Sequence, residues 1–276
     1  MRHRLPYTIN LSMLLTELPL VERPAAARRL GFDAVEFWWP FATAVPADAE
    51  VEAFVRSVRD AGVRLTGLNF FAGDLPGGDR GLVSWPARAA EFRDGVDVAV
   101  AIGERLGCRA FNALYGNRAD GVAPAAQDET AVANLTLAAE AVARVGGVAL
   151  LEPLSGAPAY PLRTAADAVA VIDRVAAAAG GPHPLLLADL YHLAVNGEDP
   201  AGMIAAHADR VGHVQIADAP GRGAPGTGRL DLDGALVALE NAGYTGRVGL
   251  EYQPAGPSAD SLDWLPRERR AADHVG

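Results

Sequence analysis

The fold of this chain is decided by a stretch in which a short apolar strand leads into a long loop, GHVQIADAPGRGAPGTG at residues 212–228. The loop is rich in glycine and proline, and three polar side chains lie along the stretch, Gln215, Asp218 and Arg222. Proteins built from strands and helices place binding and catalytic groups on such loops, because the rigid strand before the loop positions them. The stretch therefore predicts the carboxyl end of a strand in an α/β fold.

The same alternation of a strand pattern and a helix pattern occurs about eight times along the chain. Helical spacing of apolar residues appears at 47–61, 87–106, 130–145 and 164–179. Several of these stretches end in a glycine, which is typical of a helix end followed by a new strand. Apolar runs of strand length lie at residues 7–14, 34–39, 64–70, 109–114, 148–152, 184–190, 211–216 and 247–252.

Strands that alternate with helices predict parallel strands joined by crossover helices. Eight such units in 276 residues predict a single (β/α)8 TIM barrel that forms one domain over residues 1–276. The alternative is a doubly wound open sheet. That fold would be expected to show a phosphate or dinucleotide fingerprint after its first strand, and here the strand ends in Leu11-Ser12-Met13-Leu14 instead.

Composition and charge exclude several classes of partner. The formal net charge of −10 argues against nucleic acid, although a few local arginines can still attract a small anion. The single cysteine, Cys108, excludes an intrachain disulfide and a cysteine-based zinc cluster. No stretch reaches the roughly 20 apolar residues needed to span a bilayer. Because no signal peptide is recognisable either, we expect a cytoplasmic protein without a membrane partner.

The chain has no lysine, so all 24 of its strongly basic residues are arginine. Schiff-base aldolases and pyridoxal-phosphate enzymes both require a lysine amine. A P-loop nucleotide site requires a lysine as well. These three kinds of chemistry are therefore excluded.

Side chains of the kind that bind metal ions lie at the ends of four successive predicted strands, Glu152, Asp189, Gln215 and Glu251. A single acid in such a position could form a salt bridge or cap a helix. Four of them, each separated by about one strand–helix unit, are expected to converge at the carboxyl end of the barrel. Three carboxylates and one amide oxygen form a hard donor set, which suits Mg²⁺ or Mn²⁺ better than Zn²⁺.

The chain resembles the hydroxypyruvate isomerase family, a branch of the xylose-isomerase-like (β/α)8 barrels, over nearly its whole length. The most specific shared segments are Leu151-Glu152-Pro153-Leu154 and the loop at residues 212–228. Further shared segments lie at residues 10–14, 31–37, 72–74, 189–192 and 249–252.

The resemblance implies an aldose–ketose type isomerase, an intramolecular oxidoreductase that interconverts hydroxypyruvate and tartronate semialdehyde. The two catalytic glutamates of the family fall on Glu152 and Glu251. Its metal ligands fall on these two residues together with Asp189 and Gln215.

Two substrate-binding residues also follow from the resemblance. In related sugar epimerases a histidine and an arginine contact substrate oxygens, and the matching residues here are His192 and Arg222. We expect Arg222 to pair with the substrate carboxylate, because its planar guanidinium suits that group. The two glutamates would move a proton between adjacent carbons through an enediolate, with the metal polarising the carbonyl.

Several positions expected to line the pocket depart from the family pattern. Ser155 stands where the family has asparagine, Phe71 where it has proline, and Leu75 where it has tryptophan. The Trp38-Trp39 pair is bulkier than expected, and the segments at 113–115 and 156–161 also differ. The substrate is therefore left open. The alternative is an isomerase or epimerase of the same class that acts on a four-carbon 2-oxo acid (2-oxo-tetronate) or on a ketose.

Other side chains near strand ends have two interpretations each. Glu36 could line the pocket or form a buried ion pair, and His213 is expected in the core or at the pocket floor. Four aromatic residues, Trp38, Trp39, Phe70 and Phe71, could form an apolar wall over a small substrate or belong to the core. The amphipathic stretch at residues 262–270 could pack on the barrel or on a second subunit, which leaves a homo-oligomer open.

Two other classes of protein fit less well. A DNA-repair endonuclease with this fold would need a site rich in histidine and a basic face, whereas this chain has six histidines and an acidic balance. A non-catalytic protein that binds sugar acids would not need both Glu152 and Glu251.

Overall fold

The computed structural model describes residues 1–272, and its centre is a closed barrel of eight parallel strands in chain order. The barrel closes where β1 pairs with β8, with Tyr7 opposite Val248. The predicted (β/α)8 barrel is therefore confirmed and the open sheet is wrong. The strands are β1 Tyr7–Asn10, β2 Ala34–Phe37, β3 Arg64–Asn69, β4 Ala110–Asn112, β5 Val148–Leu151, β6 Leu185–Asp189, β7 Val211–Ile216 and β8 Val248–Leu250.

Helices follow the strands around the outside of the barrel, and the unit after β6 contains two short ones. The α-helices are α1 Arg23–Arg29, α2 Asp48–Asp60, α3 Ala89–Leu106, α4 Pro124–Ala143, α5 Ala165–Ala179, α6 Leu190–Val195, α7 Pro200–His207 and α8 Leu232–Asn241. Single turns of 3₁₀-helix lie at Leu20–Glu22, Pro86–Arg88, Ala208–Arg210, Asp260–Leu262 and Arg267–Arg269. Within residues 1–272, no helix is both long enough and apolar enough to cross a membrane.

Local sequence signals explain where the helices begin and end. The Thr164 hydroxyl accepts a hydrogen bond from the backbone N–H of Asp167, and the Asp167 carboxylate accepts from the N–H of Thr164, which together start α5. Gly107 ends α3 with φ of +72°, a conformation that glycine adopts without steric cost. The first strand is shorter than predicted, because the backbone turns back after Asn10, whose carbonyl accepts from the N–H of Leu14.

The hydrophobic core lies between the barrel and its helices. The Phe70 ring stacks on Phe111, with a centroid distance of 5.8 Å, and meets the edge of Phe92 at the same distance. Phe70 is therefore a core residue and does not belong to an apolar wall over a substrate. Cys108 is fully buried, as its small apolar side chain predicts.

The amphipathic stretch at residues 262–270 packs on the barrel. Leu262 and Leu265 are fully buried in the core, and the Arg270 guanidinium donates to the carbonyls of both. Beneath the barrel, Arg247 forms a bidentate ion pair with Asp33 at 2.8 and 2.9 Å. Both contacts lie at the face of the barrel opposite the predicted site. In barrels of this kind, residues at that face contribute to stability and not to the chemistry.

Candidate active site

A cavity of about 490 Å³ opens at the carboxyl ends of the strands. Long loops surround it, because β3, β5 and β7 are each followed by an extended segment without regular structure. Predicted site residues and residues that the sequence analysis did not assign to the site both line it. They include Trp38, Arg80, Glu152, His192, Arg222 and Glu251.

The four predicted metal ligands are all buried and lie at four neighbouring strand ends. Asp189 is the last residue of β6 and stands opposite Gln215 of β7 in the sheet register. Gln215 in turn stands opposite Gly249 of β8, two residues before Glu251. Glu152 follows β5, and its carboxylate lies within 4.8 Å of ligand atoms of both Asp189 and His192.

Three of these four residues each carry a buried oxygen atom that accepts no hydrogen bond from residues 1–272: Asp189 Oδ2, Gln215 Oε1 and Glu251 Oε2. The other carboxylate oxygen of Asp189 caps α6 by accepting from the N–H groups of Tyr191 and His192. Asp189 is therefore both a helix cap and a carboxylate with a free oxygen. Buried acceptors without donors cost free energy, and a cation bound among them would remove that cost. The donor set present fits such an ion.

Gln215 is oriented by Glu36. Its side-chain nitrogen donates to Glu36 Oε1 at 2.8 Å. Since a carboxylate only accepts, the amide nitrogen must face Glu36, and the amide oxygen is left free. Glu36 also accepts from Asn10 at 3.3 Å and pairs with His213 Nε2 at 2.8 Å. Glu36 and His213 thus form a buried pair beneath the acid cluster.

Each glutamate has one carboxylate oxygen held by a neutral donor. The Asn112 amide donates to Glu152 Oε2 at 2.6 Å, and the Trp38 indole donates to Glu251 Oε1 at 2.6 Å. Neither contact is predicted by the sequence patterns. Asn112 ends β4 just as the predicted ligands end their strands, so strand-end position could have identified it. For Trp38 the sequence predicts only apolar packing, in a wall over the substrate or in the core, because its hydrogen bond to Glu251 depends on the fold.

Burial raises the pKa of both glutamates. For Glu152 the carboxylates of Glu251 and Asp189 add to burial, and its pKa lies well above the ordinary value of 4.5. For Glu251 burial outweighs the opposing charge of Arg222 and raises the pKa to about 8. Carboxyls held in this way can carry a proton near neutral pH, which general acid–base chemistry requires.

Arg222 lies among the acids. Its Nη2 is 3.2 Å from Glu251 Oε1 and 3.7 Å from Asp189 Oδ2. Its backbone has φ of +54°, a left-handed conformation that is uncommon for residues other than glycine. Burial lowers its pKa, but the carboxylates of Glu251 and Asp189 outweigh burial and raise it overall. Arg222 therefore stays charged and offsets part of the repulsion among the acids.

Asp218 organises the loop that carries Arg222. Its buried carboxylate accepts hydrogen bonds from the backbone N–H groups of Ala219, Gly226 and Leu230. The Asp218 N–H donates to the carbonyl of Gly223. Asp218 therefore acts on the loop itself and does not line the cavity.

His192 presents one ring nitrogen toward the carboxylates. Its Nδ1 accepts from the backbone N–H of Ser155 at 3.1 Å, so the proton of the neutral ring is on Nε2. Nε2 lies 3.6 Å from Asp189 Oδ2 and 4.0 Å from Glu152 Oε1. Burial lowers the pKa of His192 to about 4. The side chain is thus a neutral hydrogen-bond donor at neutral pH.

A closed parallel barrel with two buried glutamates of raised pKa at its mouth is typical of (β/α)8-barrel enzymes. The chain belongs to the family described as xylose isomerase-like TIM barrel, whose sequence profile matches residues 24–268.

Named relatives identify a narrower family within the xylose isomerase-like barrels. It is 55% identical over 271 residues to a Streptomyces coelicolor protein named "Putative hydroxypyruvate isomerase", with 96% of this chain and 97% of the relative covered. It is 33% identical to the Escherichia coli protein named hydroxypyruvate isomerase, covering 95% and 98%. It is 32% identical to a Cupriavidus necator protein named 2-oxo-tetronate isomerase, covering 94% and 96%. The resemblance to the hydroxypyruvate isomerase family is confirmed.

Solved structures share the fold. A Brucella melitensis protein described as an AP endonuclease of family 2 superposes with a TM-score of 0.84 at 32% identity. The match covers 94% of this chain and 98% of that one.

Removal of the Glu36 carboxylate is expected to destabilise the barrel. Glu36→Ala leaves buried donors on Asn10, His213 and Gln215 without their acceptor, at a cost of roughly 1–3 kcal/mol for each unsatisfied group. Urea unfolding measures the loss. The control is Glu52→Ala, which removes an exposed carboxylate from a surface ion pair with Arg105. Equal unfolding midpoints for the two variants would contradict the role of Glu36.

The metal-free protein is expected to lose stability as the pH rises from 6.5 to 8. In this range the unfolded chain has ionised Glu251, whereas the folded chain still holds a proton on it, because its pKa there is about 8; the raised pKa of Glu152 acts in the same direction. The folded state then binds more protons, so the free energy of unfolding falls with pH. His192, whose folded pKa is lowered, acts in the opposite direction, but at pH 6.5 its ring is already half deprotonated in the unfolded chain, so only a small part of its contribution falls in this range.

Urea unfolding in EDTA at several pH values tests this expectation. Glu251→Gln should give a shallower pH dependence than the unchanged protein. A free energy of unfolding that is level or rises over this range would show that the two carboxyls do not hold protons in the folded state.

Proposed function

We propose that this protein interconverts hydroxypyruvate and tartronate semialdehyde by moving a proton between adjacent carbons with Glu152 and Glu251. The observation that carries the proposal is the presence of both glutamates in one cavity, buried, with raised pKa values. The names of the relatives support the substrate.

The reaction requires one carbon to lose a proton and its neighbour to gain one. One glutamate, as its carboxylate, takes a proton from C3 of hydroxypyruvate. The electron pair of that C–H bond forms the C2–C3 double bond, and the π pair of the C2 carbonyl moves onto O2, which gives an enediolate. The other glutamate, in its acid form, delivers a proton to C2, while the hydroxyl proton on O3 passes to O2. The net change is isomerisation without any external oxidant, and the same groups act in the reverse direction.

His192 and Arg222 would bind the substrate oxygens. The Nε2–H group of His192 faces the carboxylates and can donate to an oxygen that becomes negative in the enediolate. Arg222 supplies a fixed positive charge beside Glu251, which stabilises negative charge that develops on the substrate.

We further propose that Glu152, Asp189, Gln215 and Glu251 would hold a divalent cation, Mg²⁺ or Mn²⁺. The free oxygens on three of these residues and the hard character of the donors support it. When bound, such an ion polarises the carbonyl group and stabilises the oxyanion.

A four-carbon 2-oxo acid is the second candidate substrate. The cavity of about 490 Å³ has room for more than a three-carbon acid. Ser155, which has a small side chain, is one of the residues that line it. The relative named 2-oxo-tetronate isomerase supports this alternative. The net charge of −10 gives no support to a nucleic-acid substrate. A cytoplasmic location and a homo-oligomer stay predictions.

Replacement of either glutamate by its amide tests the acid–base roles. Glu152→Gln and Glu251→Gln should each lower kcat for hydroxypyruvate by about 10²–10⁴-fold, the usual contribution of a general acid or base. Steady-state kinetics measures this, with Glu140→Gln on the exposed face of α4 as the control.

A variant that retains more than about a tenth of the unchanged rate would show that its glutamate is not an acid–base group. Calorimetric titration of each variant with Mn²⁺ tests the second proposed role of the same residues, because loss of a carboxylate ligand should weaken Mn²⁺ binding. A variant that loses activity but binds Mn²⁺ as tightly as the unchanged protein has lost a proton-transfer group and not a ligand.

A further inference from the structure

A second arginine, Arg80, borders the same cavity. Its Nη1 donates to the carbonyl oxygens of Leu75 at 2.9 Å and Asp79 at 2.6 Å. In the part of the chain that the structure describes, no carboxylate lies within 4.0 Å of its guanidinium nitrogens, and neither Nε nor Nη2 forms a hydrogen bond within the protein. Arg80 therefore carries a charge at the cavity wall without an acidic partner.

The free edge of Arg80 has the geometry that a carboxylate needs. In a guanidinium group, Nε–H and one N–H of Nη2 lie side by side on the same edge and can bind both oxygens of a carboxylate at once. Nη1 is the nitrogen that the backbone carbonyls hold. The side chain is thus anchored at one nitrogen while its bidentate edge is left available.

The loop that carries Arg80 is held firmly in place. The Asp79 carboxylate accepts from the N–H of Asp74 at 2.8 Å and from the Arg88 guanidinium at 2.6 Å. The adjacent Gly81 has φ of +108°, and its N–H donates to the carbonyl of Ala72 at 2.9 Å. Asp79 is the acid nearest to Arg80 in sequence, and it is bound to Arg88 instead. The loop therefore positions Arg80 without neutralising it.

Arg222, in contrast, already forms ion pairs with Asp189 and Glu251. Its Nη2 lies beside Glu251 and Asp189, and their charges hold it there. A substrate carboxylate beside the same acids would meet repulsion, and a buried anion without a partner is costly. A cation at another part of the cavity wall can bind the substrate carboxylate without placing it beside these acids.

We propose that Arg80 binds the carboxylate of the substrate and so selects 2-oxo acids over uncharged ketoses. The inference rests on the proposed function and assigns to Arg80 the carboxylate contact that the sequence analysis expected at Arg222. Arg222 then acts at the oxygens of the reacting carbons.

The experiment compares Arg80→Gln with Arg80→Lys and with Arg56→Gln, which removes an exposed arginine of α2 that does not line the cavity. For hydroxypyruvate, Arg80→Gln should raise KM by roughly 10- to 100-fold, since a hydrogen bond to a charged group contributes about that factor, with a much smaller change in kcat. Arg80→Lys keeps the charge but loses the bidentate edge, so its KM should lie between that of Arg80→Gln and that of the unchanged protein. Arg56→Gln should match the unchanged protein.

Dihydroxyacetone provides the specificity measurement, because it is hydroxypyruvate with a hydroxymethyl group in place of the carboxylate. Deuterium incorporation into dihydroxyacetone in D₂O should proceed at the same rate in Arg80→Gln and in the unchanged protein, because this compound has no carboxylate for Arg80 to bind. An unchanged KM for hydroxypyruvate, or an equal loss with both compounds, would overturn the assignment.

Binding of D-glycerate separates this proposal from the proposed function, because D-glycerate carries the carboxylate but has no carbonyl to isomerise. Calorimetric titration should show roughly 10- to 100-fold weaker binding to Arg80→Gln than to the unchanged protein, even if hydroxypyruvate is not turned over. Equal affinity in the two proteins, or no binding to the unchanged protein, would count against Arg80. Absence of turnover alone would count against the proposed function.

Discussion

Repulsion among three buried carboxylates is the constraint on which the mouth of this barrel depends. Glu152, Asp189 and Glu251 are almost completely removed from water, and burial raises the pKa of both glutamates. Such a cluster persists only where the surrounding groups offset its charge. Arg222 supplies a positive charge, the N-terminus of α6 caps Asp189, and neutral donors hold one oxygen of each glutamate. With these groups in place the cluster stays buried, and the pKa of both glutamates lies above its ordinary value.

The barrel itself could be predicted from the sequence, because alternating strand and helix patterns are local signals. The convergence of Glu152, Asp189, Gln215 and Glu251 could also be predicted, since a parallel barrel brings the carboxyl ends of its strands to one rim. The structure extends that pattern to the first half of the chain, where polar residues also end or nearly end the strands. They are Asn10, Glu36, Asn69 and Asn112.

Other parts of the site could not be predicted, because they depend on contacts between distant segments. The hydrogen bond from Trp38 to Glu251 joins residues 213 positions apart, and nothing near Trp38 in the sequence indicates it. Arg80 lies in a loop whose shape is set by the ion pair between Asp79 and Arg88. Asp218 was grouped with the functional residues, whereas its carboxylate holds the loop through backbone N–H groups. Loop geometry therefore decides which polar residues reach the cavity.

The division between strand ends and loops also separates two aspects of function. Strand ends carry the two glutamates that we propose as acid–base groups, and the positions of the strand ends follow from the sheet register. The loops after β3, β5 and β7 carry Arg80, Ser155 and Arg222, which border the space that a substrate would occupy. Changes in these loops can alter the substrate while the proton-transfer groups stay in place, as is common in barrels of this kind.

The central claim is that the paired glutamates move a proton between adjacent carbons of a 2-oxo acid. The most direct measurement is proton NMR of hydroxypyruvate in D₂O with the purified protein, with and without Mn²⁺. The account predicts loss of the C3 proton signal through deuterium exchange and the appearance of tartronate semialdehyde. A folded protein that leaves the C3 protons of both hydroxypyruvate and 2-oxo-tetronate unexchanged under either condition would contradict it.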